Sequence, residues 1–444
     1  MSLQRFDVIV IGAGVAGLSA ARQLIAHGLD VVVLEARDRI GGRVWTHHEP
    51  RLTVPVELGA EFLHADAEEI RSIARQANLT VLDVGGRRWR AENGRIRPMN
   101  DYAERLQRVL GALDEYREPD RSFAEALRRM RRISADDRRL ALRFVEGYQA
   151  ADANIISEQF LAGSADDPDA LRIARIGGGY DGLVRAIAST VAPHVHRGRP
   201  VTRVTWSPGD VQVESRSSSG RSKPAVAARA AVVTVPLGVL MARSGSKGSI
   251  EFEPAIPAIT RAASQLAMGG ATRVAMRFDE PFWMRSRFSA SHGGRSLHQV
   301  QFLQALSDIA FPVWWSAYPI EAPLLVGWTG GPNAWQLSEG SRATIVDAAI
   351  ASLATILGMA RSSVRRRVRG AFTHNWITDP FARGAYSYAA VGGSGASAQL
   401  ARPVQQTLFF AGEHTSAGRN GTVDGAIASG RRAADQVVRQ LSRR

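Results

Sequence analysis

The chain has 444 residues, 45% hydrophobic and 22% charged, with no cysteine. That suits a globular protein of about two or three domains and excludes a collagen-like or fully disordered chain. It also excludes disulfides, thiolate metal sites and cysteine nucleophiles. The net charge is +14, and only Lys223 and Lys247 among the 56 basic residues are lysine. Residues 7–11 (DVIVI) form a short β-branched run that predicts a buried parallel strand. Helical spacing over 15–28, closed by Gly28, and a second apolar run at 30–34 complete a β-α-β opening. A strand and turn are expected over 54–63. The stretch 76–171 turns helical, with periodicity over 101–116, 122–132 and 135–150. Strands are expected at 201–206 and 211–214, followed by a polar hairpin loop at 215–225. Another strand at 231–235 stops at Pro236. Strands at 272–278 and 323–329, a helix at 341–357, a strand at 407–411 and a helix at 425–441 complete the chain. This is an α/β pattern. The nucleotide-binding domain is expected from 1–75, 172–250 and 373–444, and the substrate-binding domain from 76–171 and 251–372.

Gly12-Ala13-Gly14-Val15-Ala16-Gly17 is a GxGxxG between the first strand and the first helix. Gly12 permits the turn, Gly14 lets a pyrophosphate reach the backbone, and Gly17 lets the helix pack on the strand. The helix start, at Val15 and Ala16, offers free N–H groups to phosphate. Glu35 ends the second strand, 18 residues past Gly17, where a carboxylate can accept from the ribose hydroxyls. Gly41, Gly42 and Arg43 follow at the start of the next segment and would add phosphate contacts for an elongated dinucleotide. Gly412 and Glu413 lie in a turn after the last strand, and Gly421 to Ala426 open the last helix. A helix start aimed at a flavin ring can stabilise negative charge on it.

The segments LEARDRIGGRVWT (34–46), VPVELGAEFLH (54–64), VVTVPLGVL (232–240), DPFARGAYSY (379–388) and LFFAGEHT…GTVDGAIASGRRAA (408–434) resemble the FAD-dependent amine oxidases. That family includes monoamine oxidases, polyamine oxidases, L-amino acid oxidases and flavin histone demethylases. The resemblance runs from about residue 6 to 437, is weakest over 76–170, and is closest to the polyamine oxidase and demethylase branch. It implies a Rossmann-type FAD-binding domain beside a discontinuous substrate domain of mixed sheet and helices. It also implies hydride transfer from the α-carbon of a neutral amine to flavin N5, then imine hydrolysis and reoxidation by O₂ to hydrogen peroxide.

Carried over residue by residue, the resemblance places Glu35 on the ribose and Ala36, Arg37, Gly42 and Arg43 along the pyrophosphate. Gly59, Ala60 and Glu61 fall by the flavin, and Val201 meets the adenine through its backbone. Trp376 lies near the flavin ring, with Glu413 and Val423 near its ribityl chain and pyrimidine edge. Tyr386 forms one wall of an aromatic cage, and His64 helps to bind amine. Three positions depart from the pattern. The covalent cysteinyl attachment of monoamine oxidases falls on Ala385, so FAD is expected to be non-covalent. The second cage wall is Thr422 rather than tyrosine. The lysine that holds a water near N5 is Arg273, which keeps the charge but cannot act as a base, since its pKa exceeds ~12.

Other features read as structural. His47 and His48 have no acidic partner at metal spacing, so no metal is expected. His374 is expected to be structural. Trp314, Trp315, Trp328 and Trp335 are read as core in preference to a cavity lining. The basic runs 128–132, 365–369 and 431–444 are read as solvated helix faces, with no nucleic-acid module. No signal peptide or ~18-residue apolar span is evident, so a cytoplasmic monomer or homodimer acting on a small amine and O₂ is expected. The net charge repels cationic polyamines at long range. The alternatives are an L-amino acid oxidase, which needs an arginine facing the substrate carboxylate, and a flavin dehydrogenase or desaturase with poor oxygen reactivity. A non-catalytic protein like the GDP-dissociation inhibitors is the alternative from outside enzymology.

Overall fold

Residues 3–92, 95–163, 172–285, 297 and 299–442 are described by a computed structural model. Parts of two expectations, the helical stretch at 93–94 and 164–171 and the last basic run at 443–444, lie outside the described residues.

The opening unit is a strand at Gln4–Ile11, a helix at Val15–Ala26 and a strand at Val31–Leu34. Every side chain from Val8 to Ile11 and from Val31 to Leu34 is buried, as a strand covered on both faces requires. They sit in a sheet ordered Val195–His196, Val31–Leu34, Gln4–Ile11, Ser222–Val233, Asp210–Arg216, Val201–Ser207, Glu251–Glu253, with Leu408–Phe410 also beside Ser222–Val233. The pairings among the opening strands, Val195–His196, the Ser222 strand and Leu408–Phe410 are parallel, while Asp210–Arg216 runs antiparallel to its neighbours. The last helix, Val423–Leu441, packs on the first helix. A Cβ on Gly430 would overlap the Ala16 carbonyl, so glycine sets how closely the two axes approach.

The second sheet is ordered Val368–Phe372, Ala271–Phe278, Leu324–Gly330, Val313–Ser316, Val300–Ala305, Arg87–Glu92, Arg95–Pro98. One face carries Trp89, Val274, Met276, Leu303 and Trp314 into a core closed by the helix Arg342–Leu357. The other face looks back toward the first domain. Helices at Tyr102–Leu110, Phe123–Arg129 and Ala135–Tyr148 form a separate small core. Ser122 and Ser134 cap the second and third of these by accepting from Glu125 N and Asp137 N.

Several local expectations change. The stretch after residue 76 contains strands at Val81–Asp83, Arg87–Glu92 and Arg95–Pro98 among its helices. In the last two, arginine-rich sequences hide the strand signal, because so few positions are buried; the first is only three residues long and has none fully buried. The expected loop 215–225 is largely strand: Asp210–Arg216 and Ser222–Val233 extend into it and pair. Glu251–Glu253 joins the first sheet, and Ile256, Ile259 and Leu266 pack in that sheet's core, so this part of 251–372 lies with the nucleotide-binding half. Arg432 is not on a solvated face. It donates to the Ala401 and Phe410 carbonyls and to Thr415 Oγ1, and burial lowers its pKa to about 10. Among the described residues no single helix is long and apolar enough to cross a membrane, and no cluster of His, Asp or Glu could hold a metal.

Candidate active site

One cavity of about 1310 Å³ connects the two halves, larger than the ~300–1,000 Å³ of an ordinary small-molecule pocket. Of the site residues named from the sequence, only Gly17 is absent from its wall. Gly17 instead presses the first helix on the turn, where a Cβ would overlap the Gly12 carbonyl.

At the phosphate end two glycine turns face each other. Gly14 bridges to Gly41, and a Cβ on Gly42 would stand 3.1 Å from Gly14 Cα. Gly42 also has φ +60, so a side chain here is excluded twice. The first helix begins at Val15 with Gly14 as its N-cap and no side-chain cap, leaving its N–H groups for an anion. Glu35 accepts from Ala13 N at 2.7 Å and from Arg37 N at 2.8 Å. Burial outweighs these donors and raises its pKa. The Arg37 guanidinium turns away from the glycines and pairs with Asp379 at 2.8 Å. Ala36 and Val201 line the same end, with Val201 buried. An elongated cradle with opposed glycine turns, an open helix start and a carboxylate at its far end fits a dinucleotide.

The middle of the cavity holds Gly59, Ala60, Trp376, Gly412 and Glu413. A Cβ on Gly59 would overlap the Arg43 carbonyl. Trp376 Nε1 donates to the Leu58 carbonyl at 2.7 Å, which fixes the ring. Arg43 donates to Glu413 at 2.9 Å and to the Ala385 carbonyl at 2.7 Å. Glu413 also accepts from Ser387 Oγ and Gly421 N. Burial would raise the Glu413 pKa, but Arg43, His414 and Ser387 together outweigh it and hold the carboxylate ionised.

The substrate end is aromatic. Tyr386 donates from its hydroxyl to the Tyr148 carbonyl at 2.6 Å, and burial pushes its pKa up. Its ring lies against Gly421, where a Cβ would come within 3.1 Å. Thr422 is the N-cap of the last helix: its Oγ1 accepts from Gly425 N at 2.9 Å and donates to the Arg419 carbonyl at 2.8 Å. His64 stacks edge-on against Tyr148 and Phe62. Burial lowers its pKa to about 4, so it is neutral at pH 7.

Arg273 is 3% exposed and donates to the Gly59 carbonyl at 2.8 Å and to Glu61 at 2.7 Å. Glu61 also pairs with Arg175 at 2.8 Å and accepts from Trp315 Nε1. Burial raises the Glu61 pKa, but the two arginines outweigh it and the net shift is downward. Two guanidiniums face this carboxylate, and the buried Glu57, whose pKa burial raises to about 7, acts on the same cluster. Arg273 Nε is buried with no partner among the described residues.

The tryptophans divide. Trp314 is core, Trp315 and Trp328 line the cavity, and Trp335 is 42% exposed. Sequence reading passed over Tyr148, Phe62, Phe302, Arg88 and Arg175. Phe62 sits within the 54–64 segment beside Glu61 and His64, while the other four carry no motif, because they reach the site from strands and helices that are separate in sequence. His374 pairs with Asp379 at 2.8 Å and stacks on Trp376, which is a structural role. His48 contacts Asp181.

The sequence profile of flavin containing amine oxidoreductases matches residues 15–438. A lysine-specific histone demethylase 1 homolog 2 of Oryza sativa subsp. japonica is 29% identical over 97% of this chain and 57% of its own length. The chain thus spans a little over half the length of that relative. Polyamine oxidase 4 of Oryza sativa subsp. japonica is 28% identical over 98% of this chain and 89% of its own. The fold superposes on cyclohexylamine oxidase from Brevibacterium oxydans IH-35A with a TM-score of 0.80 at 21% identity, covering 98% of this chain and 99% of that one. With a family profile matched almost end to end, and a cavity whose walls carry a dinucleotide cradle and an aromatic chamber, the chain belongs to the flavin-containing amine oxidoreductase family.

Proposed function

We propose that this chain oxidises an amine with FAD held non-covalently. The observation that carries the proposal is the continuity of the cavity, from the Gly14–Gly42 cradle past Trp376 and Glu413 to Tyr386. No cysteine exists to form a thioether link, and Ala385 occupies the position where the resemblance expects one. Bound FAD would supply hydride acceptance from the carbon bearing the amine nitrogen, with O₂ taking the electrons to give hydrogen peroxide and water hydrolysing the released imine.

The chain's own groups suit a neutral amine. His64 is uncharged and the Tyr386 phenol stays protonated. Desolvation disfavours an ammonium here, so the site favours the form whose nitrogen lone pair is free. Tyr386, held by the Tyr148 carbonyl, gives the amine a rigid wall. Thr422 supplies no second aromatic wall, and Trp315, Trp328 and Phe302 enclose the other side. Arg273, fixed against the Gly59 carbonyl, keeps a positive charge beside the place proposed for the flavin.

The test is direct. Purified protein should be yellow and release FAD on acid denaturation. Anaerobic addition of an amine should bleach the flavin, and air should restore it with hydrogen peroxide released. A colourless protein that cannot take up FAD would refute the reading. Bleaching without reoxidation in air would leave a dehydrogenase.

A further inference from the structure

Arg88 is an arginine on the wall of this cavity with no acidic partner among the described residues. It lies on the strand Arg87–Glu92 and faces Phe302 on the neighbouring strand. Its guanidinium carbon sits 4.4 Å from the centre of the Tyr102 ring and 4.6 Å from that of Phe302. Two aromatic rings thus stand within cation–π distance of the guanidinium, and its five N–H donors remain able to serve a ligand. Among the described residues the ionisable groups acting on it are the hydroxyls of Tyr102 and Tyr148, and burial lowers its pKa. Other arginines here are committed: Arg273 and Arg175 to Glu61, Arg43 to Glu413, and Arg143 to Glu146 and Asp308.

A charged group half-buried without a counterion costs free energy unless something pairs with it. A planar guanidinium fork packed against aromatic rings can take a carboxylate with two parallel hydrogen bonds. We propose that Arg88 binds the carboxylate of an amine substrate whose acidic group lies at the end remote from the nitrogen. This rests on the amine-oxidase reading and narrows its substrate class.

The sheet sets the spacing. Four strand-to-strand steps separate Arg273 from Arg88, through the strands of Trp328, Trp315 and Phe302. At ~4.8 Å each they span roughly 19 Å of backbone. The strand of Arg273, beside the place proposed for the flavin, and the strand of Arg88 are therefore well apart, with Trp315, Phe62 and Phe302 lining an apolar path between them. An α-amino acid, with both groups on one carbon, does not match that separation. A diamine would bring its second ammonium against Arg88.

The test compares ω-aminocarboxylates, n-alkylamines and α,ω-diamines of matched, stepwise increasing chain length. Expected is an aminocarboxylate preference over the matched diamine that grows with chain length. In Arg88→Met the ratio of kcat/KM for the aminocarboxylate to that for the alkylamine should fall roughly 10- to 100-fold, the worth of a hydrogen-bonded ion pair. Arg88→Lys should fall between the two. Octanoate titrated into each protein, followed by flavin absorbance and tryptophan fluorescence, reads the site without turnover. Wild type should bind it more tightly than Arg88→Met, with both proteins showing the same melting temperature. A preference for diamines, or equal octanoate affinity in wild type and Arg88→Met, overturns the proposal. If no amine bleaches the flavin, the oxidase reading has failed and the octanoate comparison alone decides the role of Arg88.

Discussion

Replacing Arg273 with alanine removes two donors at once, one to the Gly59 carbonyl and one to Glu61. Glu61 keeps Arg175, so the carboxylate is not stranded. If Arg273 supports oxygen chemistry in place of a lysine, Arg273→Ala should slow reoxidation of the reduced flavin at least about tenfold, a change of ~1.4 kcal/mol in barrier. Anaerobic reduction should change less. Rapid mixing with air-saturated buffer measures this, and an unchanged reoxidation rate would assign Arg273 a structural role only. Thr422 has a different character, because its hydroxyl is spent on the helix. Thr422→Ala should cost about 1 kcal/mol of stability, and Thr422→Ser should retain most of it, as read by urea denaturation.

The buried histidines add a pH effect. Burial lowers His64 and His414 to about 4 from an ordinary value near 6.5. The unfolded chain then binds more protons than the folded one between those two values. The stability these two histidines contribute is full above about pH 6.5 and is lost as pH drops toward about 4. Melting temperatures across that range should decline, and His414→Gln should make the decline shallower. The buried Glu57, raised to about 7, works in the opposite sense, so the comparison with His414→Gln decides: an unchanged slope would mean that His414 is not buried neutral.

At the scale of elements, the pairing of the first and last helices positions both ends of the cavity. The first helix presents its start to the phosphates, and the last presents Thr422 and Val423 to the chamber. Gly430 is the contact that lets them approach. Gly430→Ala should push them apart, cost about 1–3 kcal/mol and reduce the flavin retained through purification. Gly147→Ala makes the same exchange in another helix where the added methyl meets nothing, and should be neutral or stabilising by about 0.5–1 kcal/mol. Absorbance per mole of protein and thermal melts distinguish the two. The first helix and its glycine turn were legible because their signal is local: a β-branched run, a GxGxxG and amphipathic spacing within 30 residues. Strands such as Arg87–Glu92 and Val313–Ser316 were not, because their burial depends on partners elsewhere in the chain.

For the whole molecule, the cavity joins two sheets that share no strand. A dinucleotide filling it would touch the opening turn, the Gly59 loop and the last helix, and so tie three distant segments together. Binding to the folded state alone stabilises it by mass action, about 2.7 kcal/mol at a hundredfold excess over Kd. Stripping the flavin should lower the melting temperature, and added FAD should restore it; no change would argue against the cradle. The net charge of +14 acts on encounter. Diamine kcat/KM should rise with added salt as repulsion is screened, and aminocarboxylates should lack that rise, which stopped-flow reduction can measure.

The nucleotide end was written in the sequence because glycine turns, helix starts and a carboxylate 18 residues on act through backbone geometry that neighbouring residues impose by themselves. The family followed from the same local segments. What the fold alone decided is the chemistry of the far end. Glu61 meets both Arg273 and Arg175, and Arg88 packs against Tyr102 and Phe302 without a counterion among the described residues. Among so many arginines nothing local separates a solvated one from one that faces substrate. Only the pairing of distant strands sets which guanidinium is neutralised and which is left for a ligand.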